Sequence, residues 1–382
     1  MISAIKLLSF LLLVFSVHVF AGSSMEDLIR EGTLFRLQGD FASAKKIESA
    51  LIRNYEEPVG HVFALNTIIT HLTWDDTTTL FDASLVSHAN KTLDWCDQIL
   101  RIDSTNAKAN YYCGQAHFAL SYYHALNGHY YQAGKHASLC IEHLERALLQ
   151  EPTLVDAKMH LGVAYYAADN LPPFIKMFSR LLWFVPTGNS KKSLPYLQDV
   201  MLHGDQYRDV ARYIYSVILL DDPDFRADSE RQLRQLVSRY PRNKRFQLRL
   251  ISVLLIQQNY IGTLEAANAY LNNDIPPTEP DLSLAKIWMV RAYLGLHQPD
   301  EAANLFSEIE GLFAASKDDL PGWSIAWYLL TSGQLHDLAD RRDQAREVYA
   351  DIISLGESAY VNEVIVDAAR AGLLLPYQSA TP

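Results

Sequence analysis

The tightest constraint on this chain is a helical-hairpin unit that recurs along it and cannot bury its apolar face alone. Its clearest copy reads TLVDAKMHLGVAYYAADNLPPFIKMFSRLLWFVP. Gly162 stands where two helices would approach closely, and Tyr165 follows three residues on. Phe174, Phe178 and Leu181 continue an apolar stripe along a second helix. Pro152 and Pro186 bracket the unit, 34 residues apart. A small residue lets one helix lie against its partner, an aromatic fills the angle between them, and a terminal proline stops the second helix. Each pair must then shield its apolar side by stacking on the next pair.

Looser copies share the spacing. Gly32, Phe35 and Ala44 take the small, aromatic and small positions around a Gly-Asp-Phe turn. Tyr293, Ala302 and Phe306 repeat the offsets, as do Gly333, Ala345 and Tyr349, with His336 in place of an aromatic. A pair from Tyr207 to Tyr240 ends in Tyr-Pro-Arg-Asn, and its successor, Asn243 to Leu271, turns at Gln258-Asn259-Tyr260. On these residues the chain resembles the tetratricopeptide-repeat family. A second resemblance covers about Ala107 to Asn243. There an LP-x(2)-K helix, an apolar run ending in Pro-x-Gly and a further helix look like the tetratricopeptide-39-like and inclusion-body-clearance proteins of eukaryotes. Their GDR-type turn is replaced here by Gly188-Asn189-Ser190. Neither resemblance implies a catalytic residue.

The fold expectation is therefore all-α: an α-α superhelix of stacked hairpins, with about eighteen helices and almost no strand signal. The single solenoid is expected over 22–382. It contains a long hairpin at 107–150 (helices near Ala107–Asn127 and Tyr130–Gln150), an additional helix at Ser190–His203 and a capping helix at 360–374. With 49% hydrophobic residues and no linker-like tract, the chain can bury a large core as one body.

The start, MISAIKLLSFLLLVFSVHVFAGSS, carries Lys6 before an apolar run from Leu7 to Phe20. The run is short for a bilayer span of about 20 residues, and Ala21 precedes a cleavage point at Gly22. Residues 1–21 read as a secretory signal, with an uncleaved N-terminal anchor as the alternative. The mature chain is expected outside the cytoplasm, in a periplasm-like compartment, with an association to the envelope left open. The 33 Lys+Arg against 44 Asp+Glu leave a formal charge of −11, which disfavours nucleic acid as a partner. Three cysteines, Cys96, Cys113 and Cys140, suit buried thiols better than a disulfide framework. A single Cys96–Cys113 bridge remains open in an oxidising compartment.

Histidine offers the most suggestive chemistry. His117 and His124 are seven residues apart, as are His129, His136 and His143, so each set stacks on one helix face. With a turn near Gly128, His117, His124, His136 and His143 would face one another. They would then offer imidazoles to zinc or copper beside Glu142 or Cys140. The structural alternative is a set of interfacial histidines. The loop Pro186–Ser193, with Lys191 and Lys192 at a helix start, reads as an anion cradle or an ordinary capped helix. It lacks phosphate-loop spacing. Of the adjacent tyrosine pairs, one ring of each is expected in the core and the other outward. Tyr112, Tyr123, Tyr131 and Tyr166 are thus the candidate anchors for a bound peptide. The turn Asp221-Asp222-Pro223-Asp224 has too few ligands for a calcium loop.

The functional expectation is a non-catalytic extracytoplasmic scaffold that holds a protein or peptide partner and needs no cofactor. The alternative is a small-ligand or metal-binding envelope protein that uses the histidine-rich hairpin.

Overall fold

The computed structural model describes residues 24–73, 80–169, 190–273, 277–316, 320, 322–358 and 363–378. The signal segment, the second half of the clearest repeat (Phe174 to Pro186) and the Gly188-Asn189 turn lie outside the described residues.

Among the described residues there are seventeen α-helices and no strand, and consecutive helices pack on one another as a superhelical solenoid. In chain order they are α1 (Met25–Gln38), α2 (Phe41–Asn54), α3 (Val59–Leu72), α4 (Asp82–Ile102), α5 (Ala107–Leu126) and α6 (Tyr130–Gln150). Then come α7 (Ala157–Asp169), α8 (Ser190–His203), α9 (Arg208–Ile218), α10 (Arg226–Arg239), α11 (Lys244–Ile256) and α12 (Tyr260–Leu271). The chain closes with α13 (Glu279–Gly295), α14 (Pro299–Ser316), α15 (Gly322–Leu338), α16 (Arg342–Ser358) and α17 (Glu363–Leu374). None of the described helices is long and apolar enough to cross a membrane.

Five of the hairpin turns are built alike. The residue entering the left-handed region is Gly39, Gly128, Gln258, His297 or Asp340, with φ between 56 and 81°. In each, the next amide donates to the carbonyl five residues back: Asp40 to Phe35, His129 to His124, Asn259 to Leu254, Gln298 to Tyr293 and Arg341 to His336. This repeated Schellman closure gives the stack its common hairpin geometry. Three of the five positions hold a side chain where glycine would be unstrained. Replacing Gln258, His297 and Asp340 by glycine is expected to raise stability by about 1 kcal/mol each, measured by urea unfolding; no gain would mean that the side chains offset the strain.

The repeat spacing is realised in the contacts. A Cβ on Gly162 would stand 3.2 Å from both the Ser193 carbonyl and Leu197 Cγ, so α7 and α8 touch backbone to backbone. Ser193 Oγ donates to the Gly162 carbonyl at 2.8 Å. Tyr165 is buried beside Tyr196 with its hydroxyl on Glu145. Among the described residues the helix against Gly162 is Ser190–His203, the additional helix expected after the repeat. The cysteines are all buried and free. The Cys96 Sγ–H points to the Ala109 carbonyl at 3.4 Å, and its pKa is driven far up by hydrogen bonding to the Cys113 thiol and by burial.

One turn of the stack closes on itself. Asn243, 2% exposed, caps α11 through the Phe246 amide (3.1 Å), and its Nδ2 donates to the Leu37 carbonyl at the end of α1 (2.7 Å). Leu37 packs on the apolar cluster of α10 and α11. At the rim Arg30 pairs with Asp205 at 3.3 Å. Helices some two hundred residues apart in sequence therefore share an interior.

Candidate functional site

The four proposed tyrosine anchors fall in different surroundings. Tyr112 is in the core, edge-on to Trp95 with ring centroids 5.9 Å apart, and its neighbour Tyr111 is buried too. Tyr123 is half-buried against the cluster of α3, α4 and α5. Tyr166 is half-buried on α7, and Tyr131, near the hairpin turn, is 57% exposed. The expected split of one ring inward and one outward fails for Tyr111-Tyr112 because α5 is covered on several faces at once. Eleven of its residues are buried.

The histidines do meet, but in a line. His117 and His136 put their Nδ1 atoms 3.0 Å apart across α5 and α6. His143 stacks on the other side of His117 (centroids 5.6 Å) and His124 on His136 (5.4 Å), with His129 5.8 Å beyond. His143 Nδ1 ends the row on Asn110 Oδ1 at 2.9 Å. Burial, then the neighbouring imidazoles, lowers the His117 pKa to about 3 and that of His136 to about 4. Two nitrogens at that separation must share one proton, so the row is built for the neutral form. Among the described residues no group of three His, Cys, Asp or Glu side chains is arranged to hold a metal ion. A ladder alternating between two helices spreads imidazoles along an axis, whereas a tetrahedral site needs them round a point.

A second polar cluster, not singled out from sequence, occupies the closed turn. Asp156, buried, accepts the amides of Asp205 (3.1 Å), Gln206 (2.9 Å) and Tyr207 (3.3 Å), and this fixes Tyr207 at the start of α9. Tyr207 Oη donates to Gln115 Oε1 at 2.8 Å and accepts from Asn66 Nδ2 at 2.6 Å. Asn66 Oδ1 in turn meets His160 Nε2 at 3.3 Å. That bond leaves the proton on Nε2 and a bare lone pair on His160 Nδ1, which is buried without a partner. Burial, followed by the nearby Arg36 charge, lowers the His160 pKa to about 3.

Arg36 completes the cluster. It is 3% exposed, its guanidinium lies over the Phe63 ring at 5.3 Å, and its Nη1 meets no acceptor. Among the described residues no carboxylate pairs with it.

Two adjoining pockets, the lobes of the candidate site, share Arg36, Asn66 and Tyr207 in their walls. The first, about 370 Å³, is lined by Thr33, Tyr111, Tyr112 and Gln115, with Glu26, Glu151 and Lys108 also in its wall. The second, about 220 Å³, is mostly apolar, walled by Ile69, Phe118, Met159, Val163, Ile214 and Phe246. Tyr213 also borders it, accepting from Arg245 Nε at 3.0 Å. Burial would raise that phenol, but Arg245 and Arg249 outweigh it and bring its pKa to about 8.

No protein-family model and no curated protein matches this chain.

Amides, phenols and a guanidinium line the two pockets together with Glu26, Glu151 and Lys108, and the His160 imidazole, with a pKa near 3, is too weak a base to take protons at neutral pH. A signal for the site does exist in the sequence. On α1 the inward stripe runs Leu28, Ile29, Gly32, Thr33 and then Arg36, a cation at a core position.

Proposed function

We propose that this chain is a non-catalytic binding protein, an exported helical scaffold of the tetratricopeptide type whose first turn encloses a small-ligand site. What supports this most is the closed turn itself. Helices α1, α3, α5, α7, α9 and α11 surround two adjoining pockets, a polar one of about 370 Å³ in the size range of small-molecule sites and a smaller apolar one of about 220 Å³. On this reading the site lies in the closed turn and not on the histidine hairpin.

The test uses a small uncharged apolar fluorophore such as naphthalene, whose size suits the apolar lobe. Saturable one-to-one binding is expected, and Ile214→Trp, which fills the apolar lobe, should weaken it at least tenfold while melting remains cooperative. Binding that is non-saturable, or indifferent to Ile214→Trp, would count against an interior site.

A second reading, a protein or peptide partner on the outside of the stack, is favoured by the turn end of the α5–α6 hairpin, where Leu126 and Tyr131 are exposed. A photo-crosslinking residue at position 131 should then give discrete adducts in the native envelope fraction. The same residue at Leu202, exposed on α8, should give none.

A further inference from the structure

We infer that the cavity binds an apolar monocarboxylate, its carboxylate on the Arg36 guanidinium and its hydrocarbon in the lobe walled by Ile69, Phe118, Met159, Val163, Ile214 and Phe246. This rests on the cavity being a ligand site, as proposed above, and adds the chemical class of the occupant.

The sign of the ligand follows from Arg36. A guanidinium removed from water costs several kcal/mol unless an opposite charge and hydrogen-bond acceptors replace its hydration. Here the ring of Phe63 covers one face, Nη1 has no acceptor, and the groups that couple to its charge are the Tyr207 phenol and the neutral His160 imidazole. Neither supplies a negative charge at neutral pH. With its face against an aromatic ring, a guanidinium offers its in-plane N–H groups, and that fork matches a carboxylate.

One buried guanidinium balances one negative charge, which favours a carboxylate over a dianionic phosphate. The other cations near the two lobes are already engaged, Lys108 with Glu57 at 2.6 Å and Arg245 and Arg249 around the Tyr213 hydroxyl.

The body of the ligand follows from the second lobe. Arg36, Asn66 and Tyr207 stand in the walls of both lobes, so a carboxylate on Arg36 has an apolar chamber directly beside it. About 220 Å³ accommodates about seven water-sized groups at roughly 30 Å³ each. That is the scale of a medium-length hydrocarbon chain and too small for a long one. Asn66 Nδ2 and Tyr207 Oη, already bonded to each other, give the wall polar atoms beside the guanidinium, and Thr70, Thr73, Tyr122 and Asn243 add others to a lining that is otherwise mostly apolar.

The experiment is titration calorimetry on the purified protein with hexanoate, octanoate and decanoate, against 1-octanol and octylammonium as neutral and cationic probes of equal length. One-to-one binding is expected, strongest near octanoate. A charge-assisted hydrogen bond makes the acid about tenfold or more tighter than the alcohol, and octylammonium should not bind. Arg36→Met should bring octanoate down to the level of octanol. It should also raise the melting temperature of the ligand-free protein, because an uncompensated buried cation is replaced by an apolar side chain. Arg36→Lys, which keeps the charge and loses the fork, should bind octanoate with intermediate strength.

If octanol binds as tightly as octanoate, the ligand site stands and the carboxylate assignment is overturned. If no probe binds, both fall. An Arg36→Met protein that melts lower than the parent and keeps its preference for the acid would assign Arg36 to packing and overturn the inference.

Discussion

Lowering the pH from 7 to 5 is expected to remove about 2 kcal/mol of stability for each of His117 and His160, before ordinary carboxylates begin to titrate. Both have folded pKa values near 3 against an unfolded value of 6.5. The cause is chiefly burial, reinforced by His136 and His143 at the first and by Arg36 at the second. The unfolded chain therefore binds more protons than the folded one throughout this window. The stabilisation is fully present above pH 6.5 and is lost as the pH falls towards 3. His136 and His88, each lowered to about 4, act in the same direction. Urea unfolding followed by circular dichroism at pH 7, 6 and 5 measures the slope, and His117→Asn should flatten it. A stability that is level from pH 7 to 5 would mean that the ladder opens to water and accepts protons without cost.

Asp337→Ala should cost about 3–5 kcal/mol, the range for breaking one partner out of a buried charged network. The Asp337 side chain is fully buried and accepts from three directions: Arg342 Nη1 at 2.8 Å, Tyr349 Oη at 2.9 Å and the Tyr377 amide at 2.7 Å. Arg342 also donates through Nη2 to the carbonyls of Gly372 (2.7 Å) and Leu373 (3.0 Å), and so holds the end of α17. Removing the carboxylate strands the Tyr349 hydroxyl in the core and frees the arginine that anchors the last helix. Hydrogen exchange should accelerate in α15–α17 and stay unchanged in α1–α9, because helical hairpins in a stack couple mainly to their neighbours. A loss below 1 kcal/mol would show that water replaces the carboxylate.

Local features of this fold could be read from the residues, and distant ones could not. Gly162 and Tyr165 stand against a neighbouring helix because small and aromatic residues at that spacing have only one economical use. The α5–α6 hairpin runs as expected because Asn106 and Gly128 supply the cap and the left-handed turn. The seven-residue histidine spacing did forecast a shared interface. Which atoms face which, and hence a ladder in place of a metal cage, depends on helix rotation that spacing leaves free.

The Tyr111-Tyr112 pair departs from the expected split because amphipathic reasoning assumes a helix with one wet side, and α5 has little; both rings line the first lobe. The cavity was hidden for another reason. Its wall joins Arg36, Asn66, Gln115, His160 and Tyr207, and only the curvature of the whole stack brings them together.

The bond from Asn243 to the Leu37 carbonyl changes how the molecule should come apart. An ordinary helical array resembles a row of dominoes, each piece answering only to the one beside it, and its ends fray independently. Here the two ends of the segment from α1 to α11 are buckled together. The amino-terminal helix then cannot peel away without breaking contacts formed with residues far downstream, and the segment should open in a single step. The same buckle is a slow step in assembly, since it waits for a loop of 206 residues to close.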